Sequence, residues 1–299
     1  MKRVMLFLAA VCMTAVANAK ILRVSNVSGS SAPYSTIAAA HDAASAGDTI
    51  MVEASPTNYG DVDLKKNVVL IGPGYWLVQN GIIQEGSSSA SIKYLTINVA
   101  KTVIKGMRMT YTTTIKAPNV IINRCNTTKI DIRSDNAVIS QNYITGSIVG
   151  SNANYLQITN NIITHIESNH NYNNIGNINN CYVAYNTFRD GTAKINATNS
   201  TIEHNLWKSY VEHGSNNSVS NNYETDIINT QATNDFIDKD YYKLEIPADV
   251  INTYGAFAGD SPYVFAGVPS GPVIQDLIVP TTVEMGSKMN VTIKIGMVK

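Results

Sequence analysis

Charged side chains are scarce in this 299-residue chain. They make up 15% of it, and 22 lysines and arginines balance 22 aspartates and glutamates. Nucleic acids and anionic membranes select strongly basic surfaces, which this composition does not supply. Beyond the first 19 residues the sequence also lacks an apolar run long enough to cross a membrane. The composition therefore argues against a nucleic-acid binder and against a bundle of membrane helices.

Cysteine is also rare, with three residues in the chain, so a disulfide scaffold is excluded. The first of them, Cys12, lies in an apolar run (4–16) that follows Lys2 and Arg3. This run ends at an Ala-Asn-Ala sequence over residues 17–19, which has the pattern of a signal-peptide cleavage site. We therefore predict a signal peptide over residues 1–19 and export to the periplasm, the outer cell surface or the medium.

Asparagine is abundant, with 34 residues, and it recurs in a short pattern: an apolar residue, two others, then Asn or a substitute. The positions of that last residue are Met107, Cys125, Asn142, Asn161, Asn186, Asn205 and Asn222. A second apolar set lies out of phase with it, at Ile130, Ile148, Ile166, Ile195 and Val211. Two short strands in each repeat of about 18 residues are typical of one coil of a parallel β-helix.

The repeat makes two predictions about side chains inside the coils. Asparagines stacked at one corner can form a ladder, in which each amide bonds to the coils above and below. Cys125 and Cys181 fall three coils apart, about 14 Å, which is too far for a disulfide. We therefore expect two free, mostly buried thiols.

The N-terminal region has the pattern of a cap on such a stack. A short helix is predicted near residues 34–44, with Ser35 or Thr36 as its N-cap and with His41 solvated. The cap and the strands after it resemble the first coils of pectin-lyase-like right-handed β-helix proteins. The residues that carry the resemblance are Ser35-Thr36-Ile37, Ala44, the Gly47–Val52 run, Tyr59 and the Lys66–Gly72 run.

The predicted fold is therefore all-β: a right-handed single-stranded parallel β-helix with an N-terminal helix cap. We expect the β-helix and its cap to span residues 20–234. Residues 235–299 change character, with a Gly- and Pro-rich stretch followed by two alternating segments. They are predicted to form a C-terminal cap with a small β-hairpin appendage.

One face of the β-helix is the candidate site. If Ile130 and Ile132 point inward, then Lys129, Asp131 and Arg133 point outward together. The equivalent positions predicted in later coils are His165 and Glu167, then Lys194 and Asn196, then Tyr210 and Glu212. An outward Trp207 is predicted to stack on sugar rings together with Tyr210.

Two functions fit this face. In the first, the protein binds or contacts polysaccharide at the cell envelope without catalysis, through Asp131, His165, Glu167, Tyr210, Glu212 and Trp207. In the second, it is a lyase acting on a uronate-containing glycan, with Lys129, Arg133 and Lys194 as the candidate catalytic bases. A lyase must also neutralise the uronate carboxylate, and Asp131 and Glu167 could hold Ca²⁺ for that purpose.

The sequence also makes predictions about metal ions, cofactors and oligomeric state. The histidine spacings do not suggest a zinc site, and Asp235, Asp238 and Asp240 fit a polar turn better than an incomplete calcium loop. The chain is expected to be a monomer without a cofactor, Ca²⁺ being the alternative that a lyase would require. Convergence of the charged residues in a groove would favour the lyase, and a flat face with those residues paired to one another would favour binding.

Overall fold

The computed structural model describes residues 19–81, 89–164, 173–189, 192–226, 247–278, 288–289 and 291–298. Within them the chain winds into a parallel β-helix of about 8 turns, which confirms the predicted fold class. Residues 1–18 of the predicted signal peptide and the aspartates of the incomplete calcium pattern lie outside the described residues.

One face of the coils is a ten-stranded parallel sheet, called here the first sheet. Each of its strands is three or four residues long, and each pairs with its equivalent in the next coil. The strands are β1 (Ile21–Val24), β2 (Thr49–Val52), β4 (Val69–Ile71), β7 (Val103–Lys105), β9 (Ile121–Asn123), β11 (Val138–Ser140), β14 (Gln157–Thr159), β17 (Tyr182–Ala184), β20 (Thr201–Glu203) and β23 (Ser218–Ser220).

A second sheet of fourteen strands closes the coils and divides into two arms. The long-strand arm contains β3 (Val62–Leu64), β6 (Leu95–Ile97), β8 (Arg108–Ile115), β10 (Asn126–Ile132), β13 (Ile148–Asn154), β16 (Ile175–Asn179), β19 (Thr192–Thr198) and β22 (Ser209–Glu212). The short-strand arm contains β5 (Ser91–Ile92), β12 (Tyr143–Ile144), β15 (Ile162–Ile163), β18 (Thr187–Phe188), β21 (Leu206–Trp207) and β24 (Tyr223–Glu224), and it joins the long strands at β8 and β10.

The core lies between the sheets and is filled mainly by β-branched and other aliphatic residues. Ile122, Ile139, Ile158 and Ile202 are fully buried at equivalent positions of the first sheet. In the long-strand arm, Ile130 pairs with Ile148, which pairs with Ile175, which pairs with Ile195. Burial of such columns drives the stacking, because each side chain is removed from water by the coil above and the coil below.

The second apolar set was predicted with two errors. Ile175, not Ile166, follows Ile148, because this coil is 27 residues long and the coil before it, from Ile130 to Ile148, is 18. Ile195 pairs with Glu212, not Val211, so the last coil is shifted by one residue. Since side chains alternate along a strand, this shift exchanges the inward and outward positions of β22.

The N-terminal helix α1 (Ile37–Ala43) forms as predicted, with the Thr36 hydroxyl accepting from the backbone N–H of Ala39 at 3.2 Å. Ile37, Ala40 and Ala44 are buried against the first coils. The prediction of a solvated His41 was wrong. His41 is buried, and its Nε2 accepts from the backbone N–H groups of Lys65 and Lys66, both at 3.1 Å.

The predicted asparagine ladder is present at the corner between the first sheet and the short-strand arm, called here the first corner. It consists of Asn142, Asn161, Asn186, Asn205 and Asn222. From Asn161 onward, each side-chain oxygen accepts from the backbone N–H and the side-chain amide of the preceding ladder residue, as Asn161 does from Asn142 at 2.9 Å in both cases. Each amide also donates to a backbone carbonyl of the preceding coil, as Asn161 does to Ile139 at 2.9 Å.

The thiols occupy equivalent positions at two different corners. Cys125 precedes Asn142 at the first corner, and its backbone N–H donates to the Asn142 side chain at 2.9 Å. Cys181 lies at the corner between the long-strand arm and the first sheet, called here the second corner, and is followed there by Ser200 and Asn217. Both thiols are free and buried, which confirms the prediction.

After the coils, helix α2 (Ala248–Thr253) leads into a segment called here the strap (residues 254–269). The strap runs along the outside of the first corner, from His204 back to Gly106. At one end the Gly255 N–H donates to the His204 carbonyl at 2.8 Å, and at the other Pro269 lies against Gly106. The Gly- and Pro-rich segment therefore lies along the side of the coils, not across their end.

Polar side chains of the first corner hold the strap. The amide of Asn160 donates to the carbonyls of Ala256 and Ala258, and the amide of Gln141 donates to those of Ser261 and Pro262. Arg124 donates to the carbonyl of Val268 at 3.0 Å. A 3₁₀ turn (Phe265–Gly267) ends the strap, and β25 (Gly271–Ile278) then pairs with β26 (Thr292–Val298) in the predicted antiparallel hairpin.

Asn161→Ala tests the ladder. The substitution removes a fully buried amide that joins three coils, and it leaves the N–H groups of Asn142 and the Ile139 carbonyl without a partner. We expect the free energy of unfolding to fall by about 3 kcal/mol or more, measured by urea denaturation. The matched control is Asn119→Gly, at an exposed corner position of positive φ, which we expect to change stability little. Equal losses in the two variants would contradict a structural role for the ladder.

The stability of the cap should depend on pH through His41. Burial, and then the charge of Lys66, lower the pKa of His41 from 6.5. Below about pH 6.5 the unfolded chain therefore binds a proton that the folded chain does not, so the free energy of unfolding falls as the pH falls. Urea denaturation between pH 8 and pH 5 should show this loss in the wild type, and a smaller loss in His41→Gln. The same pH dependence in both proteins would contradict the assignment.

The thiols should be unreactive in the folded protein. Burial raises the pKa of Cys125 to about 12 and that of Cys181 to about 11, so almost no thiolate exists at neutral pH. We expect a disulfide-exchange reagent to modify neither residue until denaturant is added, and then both, with peptide mapping to assign the sites. Finding Cys125 and Cys181 joined in unreduced protein would contradict the register of the coils.

Candidate functional site

The outward side of the long-strand arm, called here the long-strand face, contains regular rows of polar side chains. Its strands are in register, so Asp63, Thr96, Thr114 and Asp131 form one row across four coils. These residues alternate with fully or largely buried aliphatic neighbours such as Leu95. Successive coils repeat at about 4.8 Å, so equivalent side chains of neighbouring coils are also about 4.8 Å apart on this face.

Two exposed tyrosines lie at the N-terminal part of this face. Tyr94 and Tyr111 are 41% and 49% exposed, and their rings stack with centroids 4.9 Å apart and planes 28° apart. The Lys93 Nζ lies 5.6 Å from each ring centroid, within the range of a cation–π contact. The face therefore contains an exposed, ordered aromatic surface beside a positive charge.

A shallow depression adjoins the tyrosine pair. It is lined by Asp61, Val62, Asp63, Tyr94, Thr96, Asn98 and Lys116. Asp63 accepts a hydrogen bond from Asn98 and lies 3.4 Å from Lys65. Within the described part of the chain, Lys93, Lys116 and Lys129 form no ion pair, and neither does Asp61. The unpaired charge on the face is therefore mainly positive.

The structure brings only part of the predicted site together. Lys129, Asp131 and Arg133 do lie on the same strand and the same face, and Lys129 and Arg133 are exposed. Arg133 forms an ion pair with Asp131 at 2.6 Å, and this hydrogen bond raises the pKa of Arg133. A guanidinium held in this way is a poor proton acceptor, so Arg133 and Asp131 form a charge pair on the surface.

Lys194 lies far from Lys129 along the stack. It is on β19, in the same column, because Ile130, Ile148, Ile175 and Ile195 are equivalent residues of successive coils. Three strand spacings separate the two lysines, which is about 14 Å. The candidate catalytic bases therefore do not meet at one reacting atom.

The prediction of outward aromatic side chains in the last coils was wrong, because Trp207 lies in the core and Tyr210 packs against it. Trp207 is 2% exposed and packs in the core. Its ring centroid lies 5.9 Å from that of Phe188 and 4.8 Å from that of Tyr210. It follows the ladder residue Asn205 by two positions, and the short strands direct that position inward. Trp207 cannot stack on a sugar. Tyr210 is only partly exposed, and burial, then the charge of Glu212, raise its pKa to about 12.

The other predicted residues are not gathered around Lys129. Glu212 is exposed at the end of the coils, where it accepts a hydrogen bond from Asn217. His165 and Glu167 lie outside the described residues. Sequence reasoning missed Tyr94 and Tyr111, which lie one repeat apart. Tyr94 follows the alternation of β6, which it immediately precedes, but Tyr111 is exposed where β8 departs from alternation, between buried Met109 and buried Thr113.

The described residues contain no group of three or more His, Cys, Asp or Glu side chains that could ligate a metal ion. Neither of the two helices in those residues has the length and apolar character that a membrane crossing requires. Chemically, the face offers ring surfaces, hydroxyls, amides and unpaired ammonium groups, which together suit a hydroxylated ligand with some negative charge.

Comparison with protein-family models, with curated proteins and with solved structures found no match. Any function proposed for the chain therefore rests on its fold and on the geometry of the long-strand face.

Proposed function

We propose that this is an exported protein of the cell envelope that binds an acidic polysaccharide on its long-strand face, without catalysis. The observation that carries the proposal is the exposed, stacked pair of Tyr94 and Tyr111 beside a polar depression. Sugar rings have an apolar face that packs on aromatic rings, and hydroxyls that bond to amides and hydroxyls such as those of Asn98 and Thr96.

The charge of the face supports an acidic glycan. Lys93, Lys116 and Lys129 are unpaired within the described part of the chain, whereas Asp131 is neutralised by Arg133 and Asp63 lies beside Lys65. An ammonium group on an open surface attracts a carboxylate weakly, but several of them along one polymer add together. Uronate-containing polysaccharides are therefore the ligands that we would test first.

Binding fits the geometry better than the lyase alternative. Proton abstraction requires a base within hydrogen-bond distance of the carbon acid, and a cation beside it. Here Arg133 is paired with Asp131, and Lys129 and Lys194 are about 14 Å apart.

Two parts of the proposal come from the sequence. The pattern at residues 1–19 supports export, and the cap residues from Ser35 to Gly72 support a relationship to the pectin-lyase-like superfamily. That superfamily contains both enzymes and non-enzymatic surface proteins, so the relationship does not decide between binding and catalysis.

The test is gel retardation of the purified protein in uronate polysaccharides, with and without Ca²⁺. We expect retardation of the wild type and a loss of about tenfold in affinity in Tyr94→Ala and Tyr111→Ala, because each substitution removes a stacking ring. Lys129→Ala should weaken binding less and reduce its dependence on salt. The matched control is Val78→Ala, at an exposed position away from the tyrosine pair. Phe257→Ala would be unsuitable as a control, because it would disturb the packing of the strap.

Ultraviolet absorbance of the same samples tests the lyase alternative. We expect no unsaturated product. A rise in absorbance that is lost in Lys129→Ala or Lys194→Ala would overturn the non-catalytic proposal and locate a lyase site. An absence of retardation with every acidic glycan would contradict binding on this face.

A further inference from the structure

The two corners of each coil use the same backbone device. One residue per coil at each corner has a positive φ, which costs a side-chain-bearing residue about 1 kcal/mol and which Asn tolerates best. At the second corner these residues are Lys101, Asn119, Asn136, Tyr155, Asn180, Asn199 and Asn216. Five of the seven are asparagines, as expected, and Tyr155 is the one aromatic residue among them.

Large side chains at first-corner positions of positive φ contact the strap. Arg124, Gln141 and His204 have positive φ there, and the strap covers or hydrogen-bonds all three. Tyr185 also has positive φ and packs against Gly259 of the strap. The position projects its side chain away from the coil, so a bulky residue there reaches a partner that lies outside the coil.

Tyr155 has no such partner in the described part of the chain. It is 61% exposed, which makes it the most exposed aromatic side chain described, and its ring and hydroxyl contact no described residue through a hydrogen bond or ring contact. Asparagine is easier at such a position, so a Tyr that no described residue covers is a candidate contact for a partner.

The surface around Tyr155 indicates the chemistry of that partner. A shallow depression is lined by Tyr155, Leu156, Gln157, Asn180, Cys181, Tyr182, Asn199 and Thr201. It offers amides from Gln157, Asn180 and Asn199 and a hydroxyl from Thr201, but no charged side chain. Tyr182 is the second tyrosine of the lining. Its hydroxyl donates a hydrogen bond to the nearby Glu203 carboxylate at 2.9 Å, which holds the Tyr182 ring in place.

We propose that this depression is a binding site for an uncharged sugar chain, with Tyr155 as the ring on which a hexose packs. The amides supply donors and acceptors for hydroxyls, and the absence of charge from the lining disfavours an acidic glycan. Gln157 and Tyr182 occupy paired positions of adjacent coils, so a polymer lying along the stack meets a new polar group at each coil.

This site is separate from the long-strand face, because its lining residues come from the first sheet and the second corner. It does not rest on the proposed function. The two sites are distinguished by their ligands and their variants: acidic glycans and Tyr94 for one, uncharged glycans and Tyr155 for the other.

The test is calorimetric titration of the purified protein with cellohexaose, mannohexaose and maltohexaose. The key variant is Tyr155→Asn, which places at this corner the residue found at its neighbours Asn136 and Asn180 and should leave the urea midpoint unchanged or higher. We expect at least one oligosaccharide to bind the wild type, and its affinity to fall about tenfold in Tyr155→Asn. Tyr155→Phe, which keeps the ring, should retain most of the affinity.

Three outcomes would overturn the proposal: no binding of any of the three oligosaccharides to the wild type, equal binding to the wild type and Tyr155→Asn, or a loss of binding in Tyr94→Ala instead. Retained retardation of Tyr155→Asn in a separate uronate gel would show that the long-strand face is intact in this variant.

Discussion

The whole fold depends on a corner that is turned in the same way in every coil. The turn leaves backbone N–H and carbonyl groups facing the core, and the buried ladder asparagines satisfy them: Asn161 and Asn186 each bond to the coils on both sides. An unpaired buried polar group costs about 1–3 kcal/mol, so each ladder amide stabilises the stacking of its coil on the coil before it. The ladder thereby holds in register the short strands that follow it.

Once the register is fixed, the outer surface becomes a lattice of side chains. Rows such as Asp63, Thr96 and Thr114 repeat at the strand spacing along the stack. Such a surface suits an elongated ligand made of repeated units, because equivalent groups recur along its length. It suits catalysis less well, since a reaction needs several different groups at one point. Here Arg133 is paired with Asp131, and Lys194 lies three coils from Lys129.

The ladder and the cap helix could be predicted because their signals are local: Asn at a fixed place in each repeat, and Thr36 three residues before Ala39. The inward Trp207 has the same local signal and was missed, since it follows Asn205 by two residues as buried Phe188 follows Asn186. The accepting role of His41 and the strap could not be predicted. His41 bonds to residues 24 and 25 positions later, and the strap depends on contacts such as Gln141 with Ser261. Each requires a long-range pairing that no local pattern contains.

The two corners show how one backbone conformation serves two purposes. At the first corner, Arg124, Gln141 and Asn160 are buried because the strap lies on them, and the chain uses them to hold its own C-terminal segment. At the second corner, the equivalent row is exposed from Lys101 to Asn216. Asparagine is sufficient for an exposed corner of this kind, so the corner's geometry alone does not account for Tyr155. The proposed sugar contact is one that a ring makes and an amide does not, and it would account for the Tyr at this corner.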